Sequence, residues 1–423
     1  MKLQKIIERL QKLHPREIDL SLGRIKNLCK KLNNPQDSLN CISVVGTNGK
    51  YSTIQAIRAI LNEANINCNI YTSPHIQKIT ERFIYNNNEI EEDKLANLLS
   101  EVEEINNKEP ITFFEILTAA FFYGAKKYLN NITLIETGLF YRFDATNILK
   151  NNLASIITTI GLDHLDWLPK NAQTIDKIIY EKTSSLLNSN IVVSKQPSKD
   201  ILNKIKSSIK NNMSKKIIFD DNFTFLINEN NFFYYEDEFG SLKLPYPNLI
   251  GDFQLSNIST AIATLRNLNL NISDEQVKKG ITKIKSVARL QEIKKGKLKN
   301  LVKNNKLFVD GSHNSLGAKV LADYLDTLDC KKHMILGMMA NKDHNAYLSH
   351  FKNKISSLTT IDIPNQKNAI GRNKLRNKLK LDGLEINSKP TIKDAISSLK
   401  IKDGEIILIT GSLYLAGEVL NLN

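Results

Sequence analysis

Between Ser43 and Ile57 the chain reads SVVGTNGKYSTIQAI, two glycines and a lysine set between an apolar run and a helical pattern. Glycine lets the backbone approach an anion closely, and a lysine at a helix start adds its charge to the positive end of the helix dipole. Residues of these types in this order suit phosphate. The spacing departs from the common nucleotide loop G-x-x-x-x-G-K-[ST]. Val44 stands at the first glycine, Tyr51 follows the lysine, and the hydroxyls are displaced to Ser52 and Thr53. The amides of Gly46, Thr47, Asn48, Gly49 and Lys50 are the expected phosphate donors, with Lys50 as the neutralising charge. Glu136, which closes the run ITLIE, is the second chemical candidate. A carboxylate at a strand end can hold Mg²⁺ against phosphates; standing alone, it would read as a satisfied structural glutamate.

The loop and Glu136 can meet only if their strands lie side by side and point the same way. The runs CISVVG, INCNIYTS, ITLIETG, LASIITTIG and NIVVSK are short, apolar and separated by helical patterns. That alternation predicts βαβ units and a mainly parallel sheet. Ile54, Ile57 and Leu61 recur at helical spacing directly after the loop, which completes the order strand, glycine turn, helix. From Lys215 to Leu244 turn residues and aromatics predict antiparallel hairpins, and SNISTAIATLRNLNL predicts a helix. A second rhythm follows in KLFVDG, HMILGMM, ISSLTTIDI and EIILITG. The expected fold is α/β: a P-loop parallel-sheet ATPase domain over 1–286, a linker over 287–292, and a smaller Rossmann-like α/β domain over 293–423.

At 423 residues the chain is too long for one ordinary core. Its 41% hydrophobic and 24% charged residues are globular values, and runs such as LTAAFFYGA fall short of the roughly 18–20 residues that span a bilayer. The N-terminal residues alternate charge with apolar side chains and lack the pattern of a secretory leader. The expectation is a cytoplasmic chain with no membrane partner. Cys29, Cys41, Cys68 and Cys330 form no C-x-x-C pair, which argues against a disulfide framework or zinc site. The net charge of +14 raises nucleic acid as a partner. However, the lysines travel with Asn and Ile, whose codons are A/T-rich, and no RNP, zinc-finger or helix-turn-helix signature concentrates them. No nucleic-acid partner is expected; a polyanionic small substrate would also suit the charge.

GTNGK followed by Ser52, YTSPHI, ETGLFYRFDATN, IGLDHLDWL, the pair Glu181–Lys182, GDFQLSN, ARLQ, DGSHN and GSLYLAGEV occur in this order. The series resembles the folylpolyglutamate synthases and dihydrofolate synthases of the Mur ligase superfamily, over essentially the whole chain. The resemblance implies an ATP-dependent acid–amino-acid ligase: a carboxylate takes the γ-phosphoryl group, and the amine of L-glutamate displaces phosphate from the acyl phosphate. The acceptors implied are dihydropteroate, reduced folates or both, as in bifunctional bacterial members, and the implied assembly is a monomer. By the same resemblance Ser73 and Glu136 ligate a Mg²⁺ on the ATP phosphates, and His164 with Glu136 a second one. Lys182 is implied as a carbamylated metal ligand. Lys50, Glu136, His164 and Lys182 make up the implied catalytic set. Asn257 matches an adenine contact, Arg289 a phosphate contact, and Asp310 and His313 further nucleotide contacts. Phe114, Arg142 and Asp144 match the pterin site, with core packing an open alternative for Phe114. Other readings are a ligase confined to one acceptor, a divergent Mur-type cell-wall ligase, and a basic nucleic-acid-binding NTPase.

The chain departs from that pattern at identifiable positions. Tyr51, Phe140 and Tyr141 stand where glycines are expected, EKTS replaces EKAG, and Phe253 replaces a histidine. Exchanging glycines for aromatics is expected to change the path or pocket of the acceptor loop.

Overall fold

A computed structural model describes residues 2–16, 19–228, 232–381 and 383–423. Each apolar run expected to be a strand forms one. Asn40–Val45 (β1), Cys68–Tyr71 (β2), Phe83–Tyr85 (β3), Asn88–Glu89 (β4), Ile132–Glu136 (β5), Ala154–Ile157 (β6), Asn190–Val193 (β7) and Lys216–Ile218 (β8) build one sheet in the order β4-β3-β2-β5-β1-β6-β7-β8. From β2 to β8 neighbouring strands are parallel, while β3 and β4 add an antiparallel edge. The central strands are buried along their length, as sheets covered on both faces require, so their sequences read as continuous apolar runs.

The expected hairpins form a separate three-stranded antiparallel sheet: Phe223–Asn228 (β9), Phe232–Asp237 (β10) and Gly240–Pro245 (β11). A second main sheet comprises Gln291–Glu292 (β12), Lys306–Val309 (β13), Lys332–Leu336 (β14), Ser357–Thr360 (β15), Ile386–Ser388 (β16) and Ile406–Thr410 (β17). Its order is β12-β13-β17-β14-β15-β16, parallel except for β12.

The chain divides into two compact units, Met1–His164, Leu168–Asn248 and Gln254–Lys285 in one, and Leu165–Trp167, Leu249–Phe253 and Ser286–Asn423 in the other. The segment expected to be a linker is folded: its last two residues pair with Val309 and Phe308, because extended backbone beside an open edge strand satisfies both sets of hydrogen-bonding groups. In the first unit a core that includes Tyr71, Phe83, Phe121 and Ile135 joins the sheet to the helices Lys2–Leu10, Gly23–Lys31, Glu92–Asn106 and Phe113–Ala125. In the second, Phe308, Tyr347, Phe351 and Leu408 anchor a core of its own. No helix among the described residues is long and apolar enough to cross a membrane. Cys29, Cys41 and Cys68 are buried and Cys330 partly so, all as free thiols.

Candidate active site

The order of strands in the first sheet brings the chemistry together. In β1 and β5 Val44 lies opposite Glu136, so parallel neighbours deliver the loop after Val45 and the Glu136 carboxylate to the same edge. β6 flanks β1 on its other side, with Val45 opposite Ile157, and the chain runs on through Thr158 to His164. Ser73 follows β2 on the far side of β5. This is the switch point of an open parallel sheet, where the two connections from a central strand diverge and leave a crevice.

Within the loop both glycines are obligatory for two reasons. Gly46 has φ 152° and Gly49 has φ 91°, conformations that L side chains rarely adopt. A Cβ at Gly46 would lie 1.9 Å from Thr158 Oγ1, and one at Gly49 would lie 2.4 Å from Asn257 Oδ1. Gly49 is the N-cap of the helix Lys50–Glu63, whose own ladder opens with the Thr53 N–H donating to the Gly49 carbonyl at 2.9 Å. Tyr51 lies partly buried in the first turn, and Ser52 is buried. The expectation that all five loop amides face phosphate needs correcting. The Thr47 and Asn48 N–H groups donate to the Thr159 carbonyl, at 2.9 and 3.1 Å. The Thr47 hydroxyl bonds the Gly161 carbonyl at 3.0 Å and accepts from its N–H at 3.1 Å. These contacts rivet the loop to the end of β6.

Two ammonium groups converge on this loop. Lys50 Nζ donates to the carbonyls of Gly46 and Thr47 at 3.3 and 3.4 Å, and Lys182 Nζ donates to the Gly46 carbonyl at 2.9 Å. Lys182 is 3% exposed. Burial, and then repulsion by Lys50, bring its amine down to about 7, against the opposing pull of Asp163 and Asp144. The Phe140 ring stands 5.8 Å from Lys182 Nζ and 6.4 Å, edge to face, from the His164 ring. His164 adopts φ 56°, with its N–H on the neighbouring Asp163 carboxylate at 2.8 Å. Glu136 is 5% exposed and accepts from the Ser73 N–H at 3.2 Å. Among the described residues no three His, Cys, Asp or Glu side chains cluster as a metal site.

The residues matched to an acceptor site have local partners. Asp144 is buried and accepts from the Gly138 N–H (3.0 Å), the Thr146 N–H (3.0 Å) and the Thr146 hydroxyl (2.6 Å). Desolvation still raises its carboxyl to about 6. It therefore shapes the loop 138–146 from within. Phe114 stacks on Tyr71 at 6.1 Å, and a Cβ at Gly138 would meet both Asp144 (2.9 Å) and Phe114 (3.1 Å). Core packing and lining of this loop are thus one placement for Phe114. Arg142 forms a two-pronged pair with Glu181 at 2.8 and 2.9 Å, and its guanidinium lies 4.2 Å from the Phe143 ring centroid.

In the second unit Asp310 accepts from the N–H groups of Leu290 (2.7 Å) and Ser312 (2.8 Å), and Gly311 N–H donates to the Ala288 carbonyl at 2.9 Å. Arg289 lies between two left-handed residues, Ala288 (φ 54°) and Leu290 (φ 49°), so Asp310 acts here as the clamp that holds the arginine's loop. His313 Nδ1 is 3.0 Å from the Gly311 carbonyl.

Known proteins share this fold. A family model described as dihydrofolate synthetase, C-terminal domain, matches residues 293–422. The dihydrofolate synthase/folylpolyglutamate synthase of Bacillus subtilis is 29% identical over 430 residues, covering 94% of each chain. That of Haemophilus influenzae is 27% identical, covering 97% of this chain and 94% of the relative. The structure of Escherichia coli FolC in complex with DHPP and ADP shares the fold, with a TM-score of 0.87 at 23% identity over 99% of this chain and 97% of that one. Over nearly its whole length the chain is similar to these dihydrofolate synthase/folylpolyglutamate synthases.

The structure adds features that the motifs alone do not announce. Thr158 and Thr159 brace the loop, Asp163 faces Lys182, and Glu181 holds the 140–142 backbone: its carbonyl accepts from the Tyr141 and Arg142 N–H groups at 3.1 and 3.0 Å. The only sequence signal for these was proximity to a motif, since each acts through a partner outside its own motif. Of the departures, Tyr141 and Phe140 are buried, and Phe253 folds over Gly251, where a Cβ would lie 2.3 Å from its ring.

Proposed function

We propose that the protein is an ATP-dependent amide ligase that adds L-glutamate to dihydropteroate, to reduced folates or to both, through an acyl phosphate. The observation that carries this reading is the convergence of Lys50 and Lys182 on the Gly46 carbonyl, beside Glu136 at a parallel-sheet switch point. Phosphoryl transfer to a carboxylate brings two anions together, so the task is charge neutralisation and alignment, with no covalent catalyst required. In the reading, the helix start at Gly49 and the Lys50 ammonium hold the β- and γ-phosphates, and Asn257, packed against Gly49, fixes the loop and meets the base. Arg289 is assigned to phosphate because its planar fork donates two parallel hydrogen bonds; Asp310 positions it, and His313 completes that unit's nucleotide contacts.

Glu136 and Ser73 offer oxygen donors, and His164 an imidazole, which suit Mg²⁺, an ion that takes one or two carboxylates and fills its shell with phosphate and water. When bound, Mg²⁺ would offset the charge that develops on the transferring oxygens. The reading includes carbamylation of Lys182, which exchanges a second buried cation beside Lys50 for an anionic oxygen donor. Enzyme equilibrated with ¹³C-bicarbonate should show a carbamate carbon resonance absent from Lys182→Ala. A spectrum identical for both proteins counts against the modification alone.

The deciding assay is ADP release with Mg²⁺ and L-glutamate, with dihydropteroate, tetrahydrofolate, a UDP-muramyl precursor or RNA added in turn. Stimulation by at least one pterin is expected. Turnover driven only by the muramyl precursor or RNA would replace the reading with one of its alternatives.

A further inference from the structure

The stretch 73–82 holds an arginine that the site described above does not use. Glu81 ties this stretch down from inside: its carboxylate accepts from the N–H groups of Ile76 (2.7 Å), Gln77 (2.9 Å) and Lys78 (2.8 Å). The Arg82 carbonyl accepts from the Thr72 N–H at 3.4 Å, one residue before Ser73, whose own N–H meets Glu136. The guanidinium is held as well. Arg82 Nε lies 3.0 Å from His75 Nδ1, and because an arginine nitrogen can only donate, Nδ1 accepts and the ring proton sits on Nε2. Both residues are partly exposed, so a solute can reach them.

This cation stands beside the loop matched to the acceptor. Burial takes the Tyr71 phenol up to about 12, Arg82 pulls it down and Asp144 adds to the rise, so both charges lie near that hydroxyl. Tyr71 stacks on Phe114, which packs at Gly138. Among the described residues no carboxylate pairs with Arg82. The other cations at this end are committed: Arg24 to Asp19 and Glu115, Arg142 to Glu181, and Lys50 and Lys182 to carbonyls of the phosphate loop. Asp144 is engaged by Gly138 and Thr146. With Nε on His75, the two Nη nitrogens of Arg82 present an end-on fork that fits one carboxylate through two parallel hydrogen bonds.

Resting on the functional reading above, we infer that Arg82, aligned by His75, binds the α-carboxylate of acceptors that already carry a glutamyl residue. Such an acceptor reacts through its γ-carboxylate, and the α-carboxylate a few bonds away stays ionised. Once the site fills, that charge needs a partner in place of water. An aryl acid such as dihydropteroate has one carboxylate, the reacting one, and offers the fork no second anion. Arg82 therefore favours folates as acceptors.

The test compares kcat/KM, measured by ADP release, for tetrahydrofolate and for its α-carboxamide, in wild type and in Arg82→Gln. The carboxamide keeps the reacting γ-carboxylate and removes only the charge assigned to Arg82. Wild type is expected to prefer the acid by about tenfold or more, the scale of a charge-assisted hydrogen bond partly open to water, and in Arg82→Gln the preference should shrink to about twofold or less. A purely structural role would slow both acceptors equally and leave their ratio unmoved. Arg82→Lys keeps the charge and loses the fork; it serves should the glutamine variant not fold, and its preference should be at least about threefold below that of wild type. Equal use of the two acceptors by wild type, or an undiminished preference in the variants, overturns the inference. So does a variant in which only the KM for L-glutamate rises, because Arg82 would then hold the incoming amino acid. A wild type that uses dihydropteroate but not tetrahydrofolate overturns the inference and leaves the functional reading standing; one that uses neither overturns both.

Discussion

The absence of a Cβ decides the loop at Gly49. Its φ of 91° and the 2.4 Å approach of Asn257 Oδ1 to the Cβ position forbid any side chain, because Asn257 is itself buried on the helix Phe253–Arg266 and hydrogen-bonded to Gln254 at 3.0 Å. Gly49→Ala should therefore displace the helix start and lower kcat/KM for ATP about 100-fold, the penalty for misaligning reacting groups by roughly an ångström. A value within threefold of wild type would show that the loop does not bind the nucleotide. The glycines, Lys50 and Glu136 were legible in the sequence, since a strand, a turn and a helix in order leave few other uses for them. The left-handed His164, the buried left-handed Phe140 and the Asp163 carboxylate facing Lys182 were not. The backbone after Phe140 is held by the Glu181 carbonyl, and the stretch that leads to His164 is tied to the loop through Thr158 and Thr159, contacts between residues far apart in the chain.

At the scale of elements, the helix Phe113–Ala125 shows how local sequence and long-range packing are joined. Thr112 and Glu115 form a reciprocal cap: the threonine hydroxyl accepts from the Glu115 N–H, and the glutamate accepts from the Thr112 N–H at 2.9 Å. The pattern T-F-F-E is a readable helix start. What it hides is that the buried Glu115 carboxylate also takes Arg24 Nε at 2.9 Å, which fastens the helix to Gly23–Lys31 and fixes where Phe114 stands beside Gly138. Removing one partner from such a group leaves the other desolvated and unpaired. Glu115→Ala should cost about 3 kcal/mol, at the lower end for breaking a buried ion pair because Arg24 is partly exposed, read as a fall in the urea midpoint at constant slope. Thr112→Ala, which loses the cap and the hydroxyl's 2.7 Å bond to the Glu115 carboxylate but keeps the Arg24 contact, should cost less, about 1–2 kcal/mol. Equal costs for the two variants would mean that the Arg24 contact contributes nothing.

Across the whole molecule, the parallel sheets were foreseeable because buried strands read as apolar runs between helical patterns. The division of labour in charge is visible only when the stretches are counted apart. Residues 293–423 hold 22 Lys and Arg against 12 Asp and Glu, so +10 of the chain's +14 lies there. A/T-rich codons explain lysines in place of arginines, but they do not explain the concentration in one unit. A field of that sign draws polyanions, and Arg289 and His313, the nucleotide contacts proposed for this unit, lie within it. Screening shortens its reach to a Debye length of about 10 Å at 0.1 M salt. The apparent KM for ATP should therefore rise severalfold, on the order of the change in association rate, between low and about 0.3 M salt, with kcat nearly constant. Lys374, Lys378 and Lys380 are exposed on and just after the short helix Arg372–Lys378. Changing all three to glutamine lowers the stretch from +10 to +7 and should flatten that salt dependence without altering kcat. If the KM of the wild type ignores salt, or the triple variant keeps the full slope, the excess charge does not guide the nucleotide, and composition alone accounts for it.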